Sequence, residues 1–116
     1  MELALLRTLT SREFYEGNKS IAKERIFKSK ETRAIKNTID LAMIEYEDDI
    51  NIGDIEALFF SSNQALTTAQ KDIYTSLFRK MDLCDELNYE VAQDVLRELN
   101  REDAANELVD KTFYLR

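Results

Sequence analysis

Proline is absent from all 116 positions, and glycine occupies only two, Gly17 and Gly53. A chain this poor in turn formers and helix breakers is built for helices, because little along it interrupts an i to i+4 hydrogen-bond ladder. The apolar spacing predicts an all-α protein, a small bundle of about five or six helices ending in one long amphipathic helix. The first helix covers roughly 2–9 with Leu3, Leu5, Leu6 and Leu9 inward. Thr10 or Ser11 caps a short second one that carries Phe14 and Tyr15, with Ile21 beyond Gly17-Asn18, where the helix loosens or ends.

The third helix starts at Ser29 or Lys30, with Ala34, Ile35, Thr38, Ile39, Ala42, Met43 and Tyr46 on one stripe. It ends in the acidic run from Glu45 to Asp49, an unfavourable place for negative charge beside a helix C-terminus, so these acids are expected to meet basic groups or solvent. Asn51 or Asp54 caps the next helix, with Ile55, Leu58 and Phe59 inward, and Ser61 to Gln64 reads as a loop. Thr67 or Thr68 then caps a helix carrying Ala69, Ile73, Leu77, Phe78 and Met81. These elements form an expected head over 1–87, and 88–116 form the terminal helix.

That terminal segment carries apolar residues at Val91, Ala92, Val95, Leu96, Leu99, Ala104, Ala105, Leu108, Val109 and Phe113 in near-helical steps, with no stop signal behind them. Asn100-Arg101-Glu102-Asp103 interrupts the stripe and offers a cap for a new helix, but the flanking stripes stay almost in phase, which favours one continuous helix. Leu99, Leu108, Val109, Phe113 and Leu115 are therefore the expected self-association or partner interface, covered by a second subunit or by sequence beyond Arg116. The other reading packs this stripe on the chain's own bundle.

Charge bounds the partners. The net charge of −7 argues against holding nucleic acid through general phosphate attraction. The distribution is uneven, because Lys19, Lys23, Arg25, Lys28, Lys30, Arg33 and Lys36 face only Glu24 and Glu31. Asn37 to Leu58 carries seven acids and no base. Two solvated faces account for this; a pair of complementary contact surfaces does so too, with Lys23, Lys28, Lys30, Arg33 and Lys36 as the basic one. Apolar residues make up 44% and charged ones 34%, a globular balance, and no apolar run approaches the length of a membrane span. The N-terminus lacks the basic and apolar regions of a signal peptide, and the lone Cys84 fits a reducing cytoplasm.

Catalytic chemistry finds little to work with. Histidine is absent, no Gly-rich loop can cradle phosphate, and Cys84 has no His partner to activate it. The acidic stretch EYEDDINIGDIE has oxygen ligands for calcium but not the spacing of an EF-hand loop. The Tyr and Phe residues fall mostly on inward faces, where core packing explains them better than base stacking. No cofactor and no metal are expected here, and protein contact is the expected work.

Three segments, ELALLRTL, IFKSKETRAIKNTIDLAMIEY and AQDVLRELNREDAANELVDKTF, resemble the N-terminal domain of DnaB-type replicative helicases, in the shorter versions carried by T4-like phages. The first resembles that family's opening Leu-rich helix. The second resembles the loop aromatic followed by a helix into the middle of the head, and the third the first arm of its helical hairpin. The resemblance spans nearly the whole chain but rests on helix patterns. It implies a collar domain that pairs subunits, as a dimer or trimer of dimers, and docks primase or a helicase loader in the host cytoplasm. ATP and magnesium would belong to a separate motor domain, whose Walker motif is not in this sequence. A stand-alone helical phage adaptor that binds a host or replication protein is the competing expectation, and DNA binding through 19–36 a weaker one.

Overall fold

Each helix starts where a side chain takes over the first free backbone N–H groups. The computed structural model describes the backbone of residues 2–114 and the side chains of residues 2–105. In order they form α1 (Glu2–Leu9), α2 (Arg12–Asn18), a 3-10 turn (Glu24–Ile26), α3 (Lys30–Glu45), α4 (Ile52–Ser62), α5 (Thr68–Leu83) and α6 (Tyr89–Tyr114), with no strand among the described residues. Ser29 caps α3 by accepting from the Thr32 N–H. Asn51 and Asp54 serve together as a reciprocal capping box on α4, and Thr67 and Gln70 do the same on α5. Asn88 Oδ1 accepts from the N–H groups of Glu90 and Val91 at the start of α6. Ser11 is the exception: it precedes α2 without a capping bond, because its hydroxyl is hydrogen-bonded to the Tyr89 hydroxyl at 2.7 Å.

The all-helical expectation holds, with one continuous α6 through Asn100. Three details differ. Ser61 and Ser62 extend α4, so the loop begins at Asn63. Tyr46 closes α3 with its ring 44% exposed. The inward face of α5 is Tyr74, Phe78 and Met81, while Ala69 and Ile73 face out. Aromatic packing sets that phase: the Tyr74 ring lies 4.4 Å from that of Phe59 and the Phe78 ring 5.5 Å, so rotating α5 to bury Ile73 would break this cluster.

A single core runs through the described residues, with α1 packed against α2, α3, α5 and α6. Leu5, Leu6 and Leu9 of α1 are fully buried beside Phe27, Ile35, Ile39, Ile55, Phe59, Phe78 and Met81. Each such side chain contributes about 1.5–3 kcal/mol over its exposed state. Ala92 and Leu96 lie in the same core, so the start of α6 is part of the head.

Polar contacts tie distant segments to this core. Glu2 accepts from the Lys28 N–H at 2.9 Å and from the Thr32 hydroxyl at 3.2 Å, closing α1 onto the entry to α3. Thr8 Oγ1 accepts from the Leu87 N–H at 2.9 Å, holding the link between α5 and α6 against α1. Two arginines close helix C-termini that lie far away in sequence. Arg7 Nη1 donates to the carbonyls of Met81 and Asp82 at the end of α5. Arg12 donates to the carbonyls of Met43, Tyr46 and Asp48 at the end of α3.

Candidate functional site

The terminal stripe is described only in part. Ala92 and Leu96 are fully buried, and Val95 and Leu99 are half-buried against the core. Leu99 is therefore occupied by its own head, as the packed alternative has it. Leu108, Val109, Phe113 and Leu115 lie outside the residues whose side chains are described.

The polar interruption of the stripe docks the 3-10 segment. Asn100 Nδ2 donates to the Ile21 carbonyl at 2.6 Å and to the Leu96 carbonyl at 2.8 Å. One turn on, Asp103 meets Arg25 at 2.8 Å, and Glu102 stands 4.0 Å from Lys28. The helix thus continues through these residues because their side chains reach across it. They do not turn back to cap a new start.

The basic segment divides accordingly. Lys23, Lys28 and Lys30 are exposed. Arg33 stands at the surface, but its guanidinium donates to the carbonyls of Phe27 at 2.8 Å and Lys28 at 2.6 Å, bracing the entry to its own helix. Lys36 corrects the expectation. It is 2% exposed, and its ammonium donates to both Asp40 oxygens at 2.6 and 2.7 Å. The same carboxylate accepts from the Tyr15 hydroxyl at 2.7 Å, and the Lys36 ammonium sits 6.0 Å from the centroid of that ring. Burial, and then the hydrogen bond to Asp40 and its charge, push the Tyr15 phenol well above its ordinary value. Burial raises Tyr74 too, with a further push from the Glu31 charge.

Arg12 reaches the backbone at the end of α3, a contact that sequence reading missed because 31 to 36 residues separate the partners. The guanidinium meets backbone carbonyls, while the Asp49 carboxylate accepts from the Arg12 backbone N–H at the start of α2. The end of α3 and the start of α2 thus satisfy one another's free backbone groups. Asp54 is engaged in the α4 capping box. Cys84 is half-buried and closes α5, its N–H donating to the carbonyls of Lys80 and Met81. No group of three or more His, Cys, Asp or Glu among the described residues is arranged to hold a metal ion.

The outer side of α3 carries a second apolar strip that sequence reading did not single out. Leu41 is 56% exposed and Ile44 is 81% exposed, and both line an open hollow of about 450 Å³ between α3 and α4. Among the described residues, no helix is long and apolar enough to cross a membrane. Among the described residues, the exposed groups thus form contact surfaces. In comparisons with protein-family models, with curated proteins and with solved structures, nothing matches this chain.

Proposed function

We propose that this chain is an assembly and docking module, the N-terminal collar domain of a DnaB-type phage replicative helicase, with no catalysis of its own. The observation that carries the reading is α6. It runs unbroken for 26 residues, from Tyr89 to Tyr114, and among the described side chains it is anchored on the head by Ala92, Leu96, Asn100 and Asp103. A long helix rooted in a compact head suits the first arm of a subunit-pairing hairpin. The three segments that resemble the family support it from another side. They correspond to α1, to the buried Phe27 with α3, and to α6, the elements on which the head is built.

In this reading pairs of chains associate through the far part of α6, and the head offers a surface to a primase or loader. A stand-alone adaptor is the second reading, favoured by the half-buried Leu99, and it makes a monomer. Sedimentation over a range of protein concentrations separates the two. The parent chain is expected to pair, with Phe113→Asp weakening the pairing and leaving the helical signal intact. A chain that stays monomeric at every concentration, or a Phe113→Asp variant that pairs like the parent, overturns the assembly reading. The sequence beyond Arg116 in the parent gene gives an independent check, since a second helical arm and then GxxxxGK[ST] are expected there.

A further inference from the structure

The geometry points to the groove between α3 and α4 as a docking site for a basic amphipathic helix of a partner protein. The core-facing stripe of α3 is Ile35, Thr38, Ile39, Ala42 and Met43. A helix that serves only its own bundle presents polar groups elsewhere, yet α3 places Ala34, Leu41 and Ile44 along the hollow it shares with α4. Leu58 lines this hollow and also a second one of about 460 Å³, where Tyr46 and Ala57 extend the apolar lining. Leu58 is the residue that the two share, and Asn37, Thr38, Ser62 and Asn63 add polar groups to the lining of the first. Apolar anchors at i, i+3/i+4 and i+7 of an incoming helix fit such a groove.

The rim decides the sign of the partner. Glu45 borders the first hollow, and Glu47, Asp48, Asp49 and Asp54 border the second, with no Lys or Arg lining either. Asp49 and Asp54 also bond backbone N–H groups. The carboxylates of Glu45, Glu47 and Asp48 have no side-chain partner among the described residues, so they remain available to cations of an incoming helix. Arg12, which reaches the Tyr46 and Asp48 carbonyls, is already committed to them.

A second copy of this chain does not suit the groove. The chain carries a net charge of −7, and two cations of its basic segment, Arg25 and Lys28, already face Asp103 and Glu102. Packing one acid-rimmed trough on another would set like charges together without a bridging cation. A helix with Leu or Ile on one face and Lys or Arg on both flanks satisfies floor and rim at once. This inference stands apart from the helicase reading, since the groove lies on α3 and α4 and owes nothing to the far end of α6.

The test uses the full chain and a fluorescently labelled synthetic peptide of roughly five helical turns, with Leu on one face and Lys on the flanks. Two control peptides accompany it, one of the same composition with the Leu periodicity scrambled, the other with Glu in place of Lys. The expected result is saturable anisotropy for the amphipathic basic peptide alone, weakening as salt rises, with amide shifts centred on Leu41, Ile44 and Leu58. Leu41→Ser with Ile44→Ser, or Glu47→Gln with Asp48→Asn, should each weaken binding by about tenfold or more. These side chains lie at the surface, and matched thermal melts will show that the fold is retained. No saturation up to about 1 mM, equal binding of either control, or shifts confined to another face overturns the proposal. So does self-association of the parent chain that the Leu41/Ile44 variant abolishes, which would give the groove to a second copy.

Discussion

Lys36 shows how much a single side chain depends on which way its helix turns. In a count of charges it belongs to a basic stretch; in the fold its ammonium is enclosed by Asp40 and the Tyr15 ring. Removing one partner of such a pair costs far more than the pair contributes, since the other charge stays buried and unpaired. Asp40→Ala is expected to lower stability by roughly 2–4 kcal/mol in urea unfolding, whereas Lys36→Met with Asp40→Asn, which keeps an acceptor for the Tyr15 hydroxyl, should recover most of that loss. A double variant as unstable as Asp40→Ala would contradict this account of the site. Gly17 offers the opposite case. It lies exposed within α2, its φ is not positive, and a Cβ there would meet nothing within 4 Å. Gly17→Ala should therefore raise stability by about 0.5–1 kcal/mol, read as a shift of the urea midpoint at constant slope. The i, i+4 spacing of Lys36 and Asp40 was visible in the sequence, but such pairs are ordinarily exposed, and only the Tyr15 ring from α2 shows this one to be enclosed.

At the scale of elements, local chemistry was legible and long-range closure was not. The caps at Ser29, Asn51 and Thr67 follow from residue type and spacing, and so does the continuity of α6. The phase of α5 does not, because Ile73 and Tyr74 are both apolar and only the distant Phe59 ring selects between them. The salt links of Arg25 and Lys28 to Asp103 and Glu102 span most of the chain and leave no local trace. Arg12 belongs to the same group. Arg12→Ala should release the carbonyls of Met43, Tyr46 and Asp48 and cost about 1.5–3 kcal/mol. Hydrogen exchange checks where that loss falls: amides in the last turn of α3 should exchange faster while those of α5 keep their protection.

For the molecule as a whole, the helical class was readable from what the sequence lacks, and the surfaces were readable only in part. The α3–α4 trough escaped because Leu41 and Ile44 look like ordinary apolar helix residues until α4 is in place beside them. Global stability should also respond to alkali. The folded chain holds the Tyr15 proton more tightly than an unfolded chain does, with Asp40 and Glu16 reinforcing burial and Arg12 opposing it. That contribution is complete below the ordinary phenol value of 10.0 and is lost as pH rises from there through the raised value. Melting temperature should fall more steeply above pH 10 in the parent than in Tyr15→Phe; parallel curves would remove Tyr15 from the explanation. Phe78→Ser, which places a hydroxyl among the Phe59 and Phe60 rings, should cost about 3–5 kcal/mol and melt the head as a unit.

The position of α1 has a consequence for how the protein is made. This octapeptide is synthesised well before α5 and α6, yet those two helices are among the ones it packs against. At elongation rates of about 5–20 residues per second, on the order of ten seconds pass between the appearance of α1 and that of these partners. Throughout that interval Leu5, Leu6 and Leu9 belong to a nascent chain without a finished core. The head therefore cannot close until α6 has emerged, and the leucines of α1 are residues that a ribosome-bound chaperone would meet and hold until then.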